Sequence, residues 1–155
     1  MTSQSAACTE TAFTIDTSSI KFGPGITREA GYELDRLGAS RVMVVTDPQM
    51  AGSAAVNTAT NSLKQANVDF AVFDRVSVEP TDVSFKEAIE FAVNGRFDGF
   101  LPVGGGSSID TAKAANLYST YPADFLEYVN APIGEGTPVP GDLKPLVAVP
   151  TPAGT

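Results

Sequence analysis

A chain of 155 residues is long enough to bury a core and short enough to form one domain. With 43% hydrophobic and 18% charged residues, it has the balance of a folded globular protein rather than a disordered one. Eighteen acidic residues against ten basic ones leave a net charge of −8, which phosphate backbones and anionic membranes repel, so neither is expected as a partner.

Residues 1–11 are small and polar and predict a loose terminus ahead of one α/β domain over residues 12–155. Between residues 12 and 22, Phe13, Ile15, Ile20 and Phe22 are separated by polar residues, which predicts a short strand pair at a sheet edge. Gly23, Pro24 and Gly25 then punctuate the chain. From there the period changes. Ile26, Ala30, Leu34 and Leu37 fall on one helical face, and Gly38 is placed to end that helix in a left-handed conformation. The compact run Arg41, Val42, Met43, Val44, Val45 and Thr46 has the form of a strand covered on both faces.

The pattern then repeats. Val56, Ala59, Leu63 and Ala66 mark a second helix, and residues 70–73 a second strand. Ser84 and Glu87 stand at capping-box spacing before an apolar stripe of Phe85, Ala88, Ile89, Ala92 and Val93, with Gly95 to close the helix. Residues 97–103 predict a third buried strand. A fourth helix begins near Ser107, a fifth covers residues 123–129, and residues 145–149 form a last strand. Helices alternating with short apolar strands imply a doubly wound, mostly parallel sheet of the Rossmann-like kind.

Two residue counts restrict the chemistry. The single cysteine, Cys8, permits no intrachain disulfide and fits a reducing compartment. The absence of histidine removes serine–histidine triads, histidine bases and most zinc or iron ligand sets from this polypeptide. None of those arrangements is therefore expected within it. The first twenty residues show neither the basic-then-apolar pattern of a secretory signal nor the arginines of a mitochondrial presequence, and no apolar run reaches membrane length. The expected location is the cytoplasm, or the mitochondrial matrix if the source is a eukaryote.

In a doubly wound sheet, ligands bind where strands hand over to helices at their carboxyl ends. Three segments meet that condition. Gly104, Gly105 and Gly106 follow the third strand and let the backbone approach a ligand, while the following helix offers unpaired amides that suit a pyrophosphate. Ser107 would cap that helix, with Asp110 three residues on; Lys113 is either a cation near the ligand or the partner of Asp110 in a surface ion pair. The usual G-x-G-x-x-G spacing is absent. Asp47, after the first strand, either accepts hydrogen bonds from ribose hydroxyls, which favours NAD over NADP, or simply starts a turn with Pro48. Thr151 and Thr155, after the last strand, offer hydroxyls for a phosphate or ribose, or belong to a flexible loop.

Taken together, Val45-Thr46-Asp47, the run from Gly104 through Ser107 and Asp110 to Lys113, and residues 150–155 resemble the iron-containing (group III) alcohol dehydrogenase family, in its order and at compatible spacing. Within it, Glu79-Pro80-Thr81-Asp82-Val83-Ser84-Phe85, Asp124-Phe125-Leu126 and Leu143-Lys144-Pro145-Leu146 are similar to the hydroxyacid-oxoacid transhydrogenase subgroup. The resemblance implies a bound NAD, small hydroxyacid and oxoacid substrates, and hydride passage from 4-hydroxybutyrate to 2-oxoglutarate. It also implies a metal, Fe2+ or Zn2+, held by a helical second domain that this chain lacks, so the 155 residues alone are expected to be inactive. Pro152 stands where the family commonly has Thr or Ser. Without the second domain Val149, Phe125 and Tyr128 would be partly exposed, which favours homo-oligomers. The alternatives are a stand-alone nucleotide-binding module, or half of another iron-type alcohol or glycerol dehydrogenase.

Overall fold

The computed structural model describes residues 18–151. A short 3-10 turn (Ile26–Glu29) leads into α1 (Ala30–Arg36), followed by β1 (Arg41–Val45), α2 (Ala54–Gln65), β2 (Asp69–Phe73), α3 (Asp82–Gly95), β3 (Gly99–Gly104), α4 (Gly106–Thr120) and β4 (Val149–Pro150). The four strands lie in the order β2-β1-β3-β4, and every pairing is parallel. The winding direction reverses after β2, which opens a crevice between the carboxyl ends of β1 and β3.

Alternation along β1 and β3 builds a core on each face. Val42, Val44, Leu101 and Val103 meet Leu34, Val56, Ala59 and Leu63 from α1 and α2. Met43, Val45 and Phe100 meet Ala88 and Ala92 of α3 and Ala112 and Ala115 of α4. Both strands are thus buried on two sides, as their continuous apolar runs require. Helix α1 ends as expected at Gly38, whose φ of 87° lets its amide donate to Asp35 and the next amide, of Ala39, to Leu34. Earlier in α1, Gly31 touches α2 so closely that a Cβ would fall 2.2 Å from the Ser62 carbonyl oxygen, and its amide donates to the Ser62 hydroxyl at 2.9 Å.

At the opposite end of the sheet from the crevice, Asp98 staples β1 to β3. Its carboxylate accepts from the amides of Ser40 at 2.9 Å and Arg41 at 2.7 Å and from the Ser40 hydroxyl at 2.5 Å. Burial alone would raise the carboxyl pKa, but the Ser40 hydroxyl and the two amides outweigh it and hold the group below its ordinary 3.8. A depressed folded-state pKa contributes stability above the unfolded value and loses it as pH falls through the folded one. Asp98→Asn is therefore expected to unfold about 1–2 kcal/mol more easily at neutral pH. The gap from wild type should narrow as pH drops below 3.8. Urea titrations at pH 7 and pH 3 measure this, and a gap that stays constant would contradict it.

Several local expectations need correction. Residues 18–22 form no strand, and Ile20 and Phe22 are exposed with no ladder partner among the described residues; the other half of the expected strand pair lies outside the described residues. The capping box of α3 is Thr81 with Ser84, not Ser84 with Glu87. The Ser84 amide donates to the Thr81 hydroxyl at 3.3 Å and the Thr81 amide to the Ser84 hydroxyl at 2.8 Å, while Glu87 accepts from Arg75 at 2.6 Å. Gly95 lies inside α3, and Arg96 takes the left-handed position (φ 51°); a Cβ at Gly95 would sit 2.0 Å from the Phe97 ring. Residues 123–129 form turns, not a fifth helix. The carbonyls of Leu126, Glu127 and Val129 accept instead from the returning amides of Glu135, Thr137 and Gly136. The last strand is interrupted: Leu146 makes one parallel bridge to Phe100, and β4 proper is only Val149–Pro150.

Candidate functional site

The crevice is framed from its floor. Thr46 directly follows β1, is fully buried, and donates its hydroxyl to the Val103 carbonyl at 2.8 Å. That bond ties the carboxyl ends of β1 and β3 together. Above it stands Asp47. One carboxylate oxygen accepts from the amides of Gln49 and Met50, both at 2.9 Å, which makes the turn that the Asp47-Pro48 pair suggests. The other oxygen faces the glycine loop, 3.8 Å from where a Gly104 Cβ would stand.

The glycines divide into two kinds. Gly104 has φ 156°, and a Cβ there would lie 2.5 Å from the Ser108 hydroxyl oxygen and 3.0 Å from its Cβ. This position is glycine because α4 approaches β3 too closely for anything larger. At Gly105 and Gly106 a Cβ would meet nothing within 4 Å. Their lack of side chains leaves open space rather than relieving a clash. Gly105 is the N-cap of α4, and no side chain caps that end. An uncapped 15-residue helix with bare backbone before it carries unpaired amides and a partial positive charge, which suits an anion.

Ser107 is therefore not the cap, as the sequence suggested. It lies within the first turn of α4, and its hydroxyl donates to the Val78 carbonyl in the β2–α3 loop at 2.5 Å. Asp110 forms no capping box. It stands 4.0 Å from Lys113, and both side chains are about two-thirds exposed, so this is the surface pair, worth at most a few tenths of a kcal/mol. Thr151 comes to the crevice through its amide, which donates to the Gly104 carbonyl at 3.0 Å. Thr155 lies outside the described residues.

Asp47, the glycine triplet, Ser107 and Thr151 thus meet at one end of the sheet. Sequence reasoning missed Thr46 and Ser108. A lone hydroxyl closing an otherwise apolar buried strand was a usable signal for Thr46, because a buried hydroxyl needs a partner. An open cavity of about 810 Å³ lies elsewhere, between the start of α3 and the turns at residues 124–137, and none of the residues above lines it. Among the described residues no helix is long and apolar enough to cross a membrane.

A family model described as iron-containing alcohol dehydrogenase matches residues 17–155. The mitochondrial hydroxyacid-oxoacid transhydrogenase of Bos taurus is 54% identical over 154 residues, covering 99% of this chain and 33% of that protein. The enzyme of the same name from Xenopus tropicalis is 55% identical over 148 residues, covering 95% and 32%. Among solved structures, a 1,3-propanediol oxidoreductase superposes with a TM-score of 0.75 at 28% identity, over 86% of this chain and 34% of its own. The chain spans about a third of the length of the relatives it matches.

Proposed function

This chain belongs to the iron-containing alcohol dehydrogenase family, and from that premise we propose that residues 12–155 form the dinucleotide-binding domain of an NAD-dependent oxidoreductase acting on small hydroxyacids and oxoacids. The relatives' names point to hydroxyacid-oxoacid transhydrogenation. In the reaction proposed for the whole protein, 4-hydroxybutyrate loses a hydride and a proton to become succinic semialdehyde. The carbonyl carbon of 2-oxoglutarate gains a hydride, and its oxygen a proton, to give 2-hydroxyglutarate. Bound NAD supplies the hydride-accepting ring between the two half-reactions.

The observation that carries the reading is the open space over Gly105 and Gly106 at an uncapped helix start, at the strand-order reversal. There the free amides would receive the pyrophosphate. The Asp47 oxygen not used by its turn would accept from ribose hydroxyls and repel a 2′-phosphate. Thr151 and Thr155 complete the proposed set on the β4 side. Asp110 and Lys113 would act on the ligand only at longer range, as an exposed pair of opposite charges.

The described residues of this chain do not fit a metal centre. The sequence holds no histidine, and among the described residues no three His, Cys, Asp or Glu side chains converge to hold an ion. Metal ligation, Fe2+ or Zn2+, is accordingly proposed for the remaining part of the whole protein. The named relatives are mitochondrial; the proposed location is the matrix for a eukaryotic source and the cytoplasm otherwise.

Titrating the 155-residue chain with NADH, following nucleotide fluorescence, tests the proposal. Binding without turnover of 4-hydroxybutyrate is expected. Asp47→Ala should lower the preference for NADH over NADPH about tenfold, the equivalent of one hydrogen bond to a charged group. A folded chain that leaves NADH fluorescence unchanged would remove the proposal.

A further inference from the structure

The sheet order dictates the route of the β2–α3 loop. β1 lies between β2 and β3, so a loop leaving β2 must cross the carboxyl end of β1 to reach the head of α4. It is fastened at both ends of that crossing. Val76 is buried, and its amide donates to the Thr46 carbonyl at 3.3 Å. Two residues on, the Val78 carbonyl accepts from the Ser107 hydroxyl at 2.5 Å. Between these ties nothing holds the Val78 side chain, which is 77% exposed although apolar. An isolated exposed valine is ordinary. One held by its own carbonyl beside an open glycine loop is in position to meet a ligand.

We infer that Ser107 is a positioning residue that latches the crossing loop to α4, so that Val78 forms an apolar wall against which the nucleoside part of a dinucleotide lies. This rests on the dinucleotide reading of the crevice. It departs from the simpler role for a serine in a glycine-rich loop, direct contact with phosphate, because the Ser107 proton is already committed to Val78. The two roles separate by ligand. A phosphate contact contributes equally to inorganic pyrophosphate and to NADH, whereas a latched wall matters only for the ligand that carries a nucleoside.

The experiment compares wild type, Ser107→Ala, Ser107→Thr and Val78→Gly for binding of NADH and of inorganic pyrophosphate, with amide hydrogen exchange read at residues 76–80. Ser107→Ala is expected to bind NADH about fivefold more weakly, as for one uncharged hydrogen bond. Its pyrophosphate affinity should be unchanged and its exchange at residues 76–80 faster. Ser107→Thr keeps the hydroxyl and should restore both. Val78→Gly should weaken NADH alone while leaving the latch in place. Equal losses for NADH and pyrophosphate in Ser107→Ala overturn the latch in favour of a phosphate contact, and Ser107→Ala matching wild type in all three readouts overturns it outright. Wild type that binds neither ligand overturns the dinucleotide reading, and the assigned role with it.

Discussion

Gly104→Ala is expected to lose about 2–3 kcal/mol of stability and to bind dinucleotide no longer. The added methyl must fit 2.5 Å from the Ser108 hydroxyl oxygen on a backbone at φ 156°, a conformation that side chains other than hydrogen rarely adopt. Ser108 is buried at the start of α4 and cannot simply swing away into solvent. The helix head would have to lift from β3, and the crevice would change shape with it. Gly105→Ala provides the contrast. Its Cβ meets no protein atom within 4 Å, so stability should stay within about 0.5 kcal/mol of wild type. Ligand affinity should nevertheless fall, because the new methyl would enter the open space in which the proposed dinucleotide lies. Urea unfolding and NADH titration of both variants separate the two effects. Equal behaviour of the two variants would mean that the glycines serve a single purpose, against the division made above.

Gly31→Ala should be the most damaging single methyl on the far side of the molecule, at about 3 kcal/mol or more. The predicted collision is with main chain: 2.2 Å from the Ser62 carbonyl oxygen, 2.4 Å from its carbon and 2.7 Å from the Leu63 nitrogen. No rotamer relieves contact with helical backbone, so α1 must move off α2. That movement would also stretch the bond from the Gly31 amide to the Ser62 hydroxyl and loosen the cluster of Leu34, Ala59 and Leu63. Thermal unfolding measures the loss. A melting temperature within a degree or two of wild type would show that the two helices can separate freely.

The sheet was readable because its two central strands carry their instructions locally. Val42 through Val45 and Phe100 through Val103 are apolar at nearly every position, and the glycine and serine punctuation around them is explicit. The crevice followed from topology once alternation of helix and strand was granted. What escaped reading depends on partners distant in sequence. Residues 123–129 have helical composition, yet their carbonyls are taken by amides from residues 135–137, a long-range pairing with no periodic signature. Thr81 took the cap from Ser84 because both residues are good caps, and the choice falls to geometry at the loop. Ser107 looked like a cap for the same reason, and only the arrival of Val78 across β1 explains why its hydroxyl points elsewhere. Phe13 and Ile15 fall outside the described residues, so the first half of the N-terminal strand pair is left as a sequence expectation.

Asn116 gives the thin β4 edge a particular character. Its buried carboxamide donates to the Lys144 carbonyl at 2.8 Å and accepts from the Lys144 amide at 3.2 Å, imitating the two-way bond of a neighbouring strand. Residues 144–150 are thus moored to a helix at one end and to β3 by only a bridge and a two-residue ladder at the other. Replacing Asn116 by alanine would take both partners from the Lys144 backbone and release the start of this segment from α4.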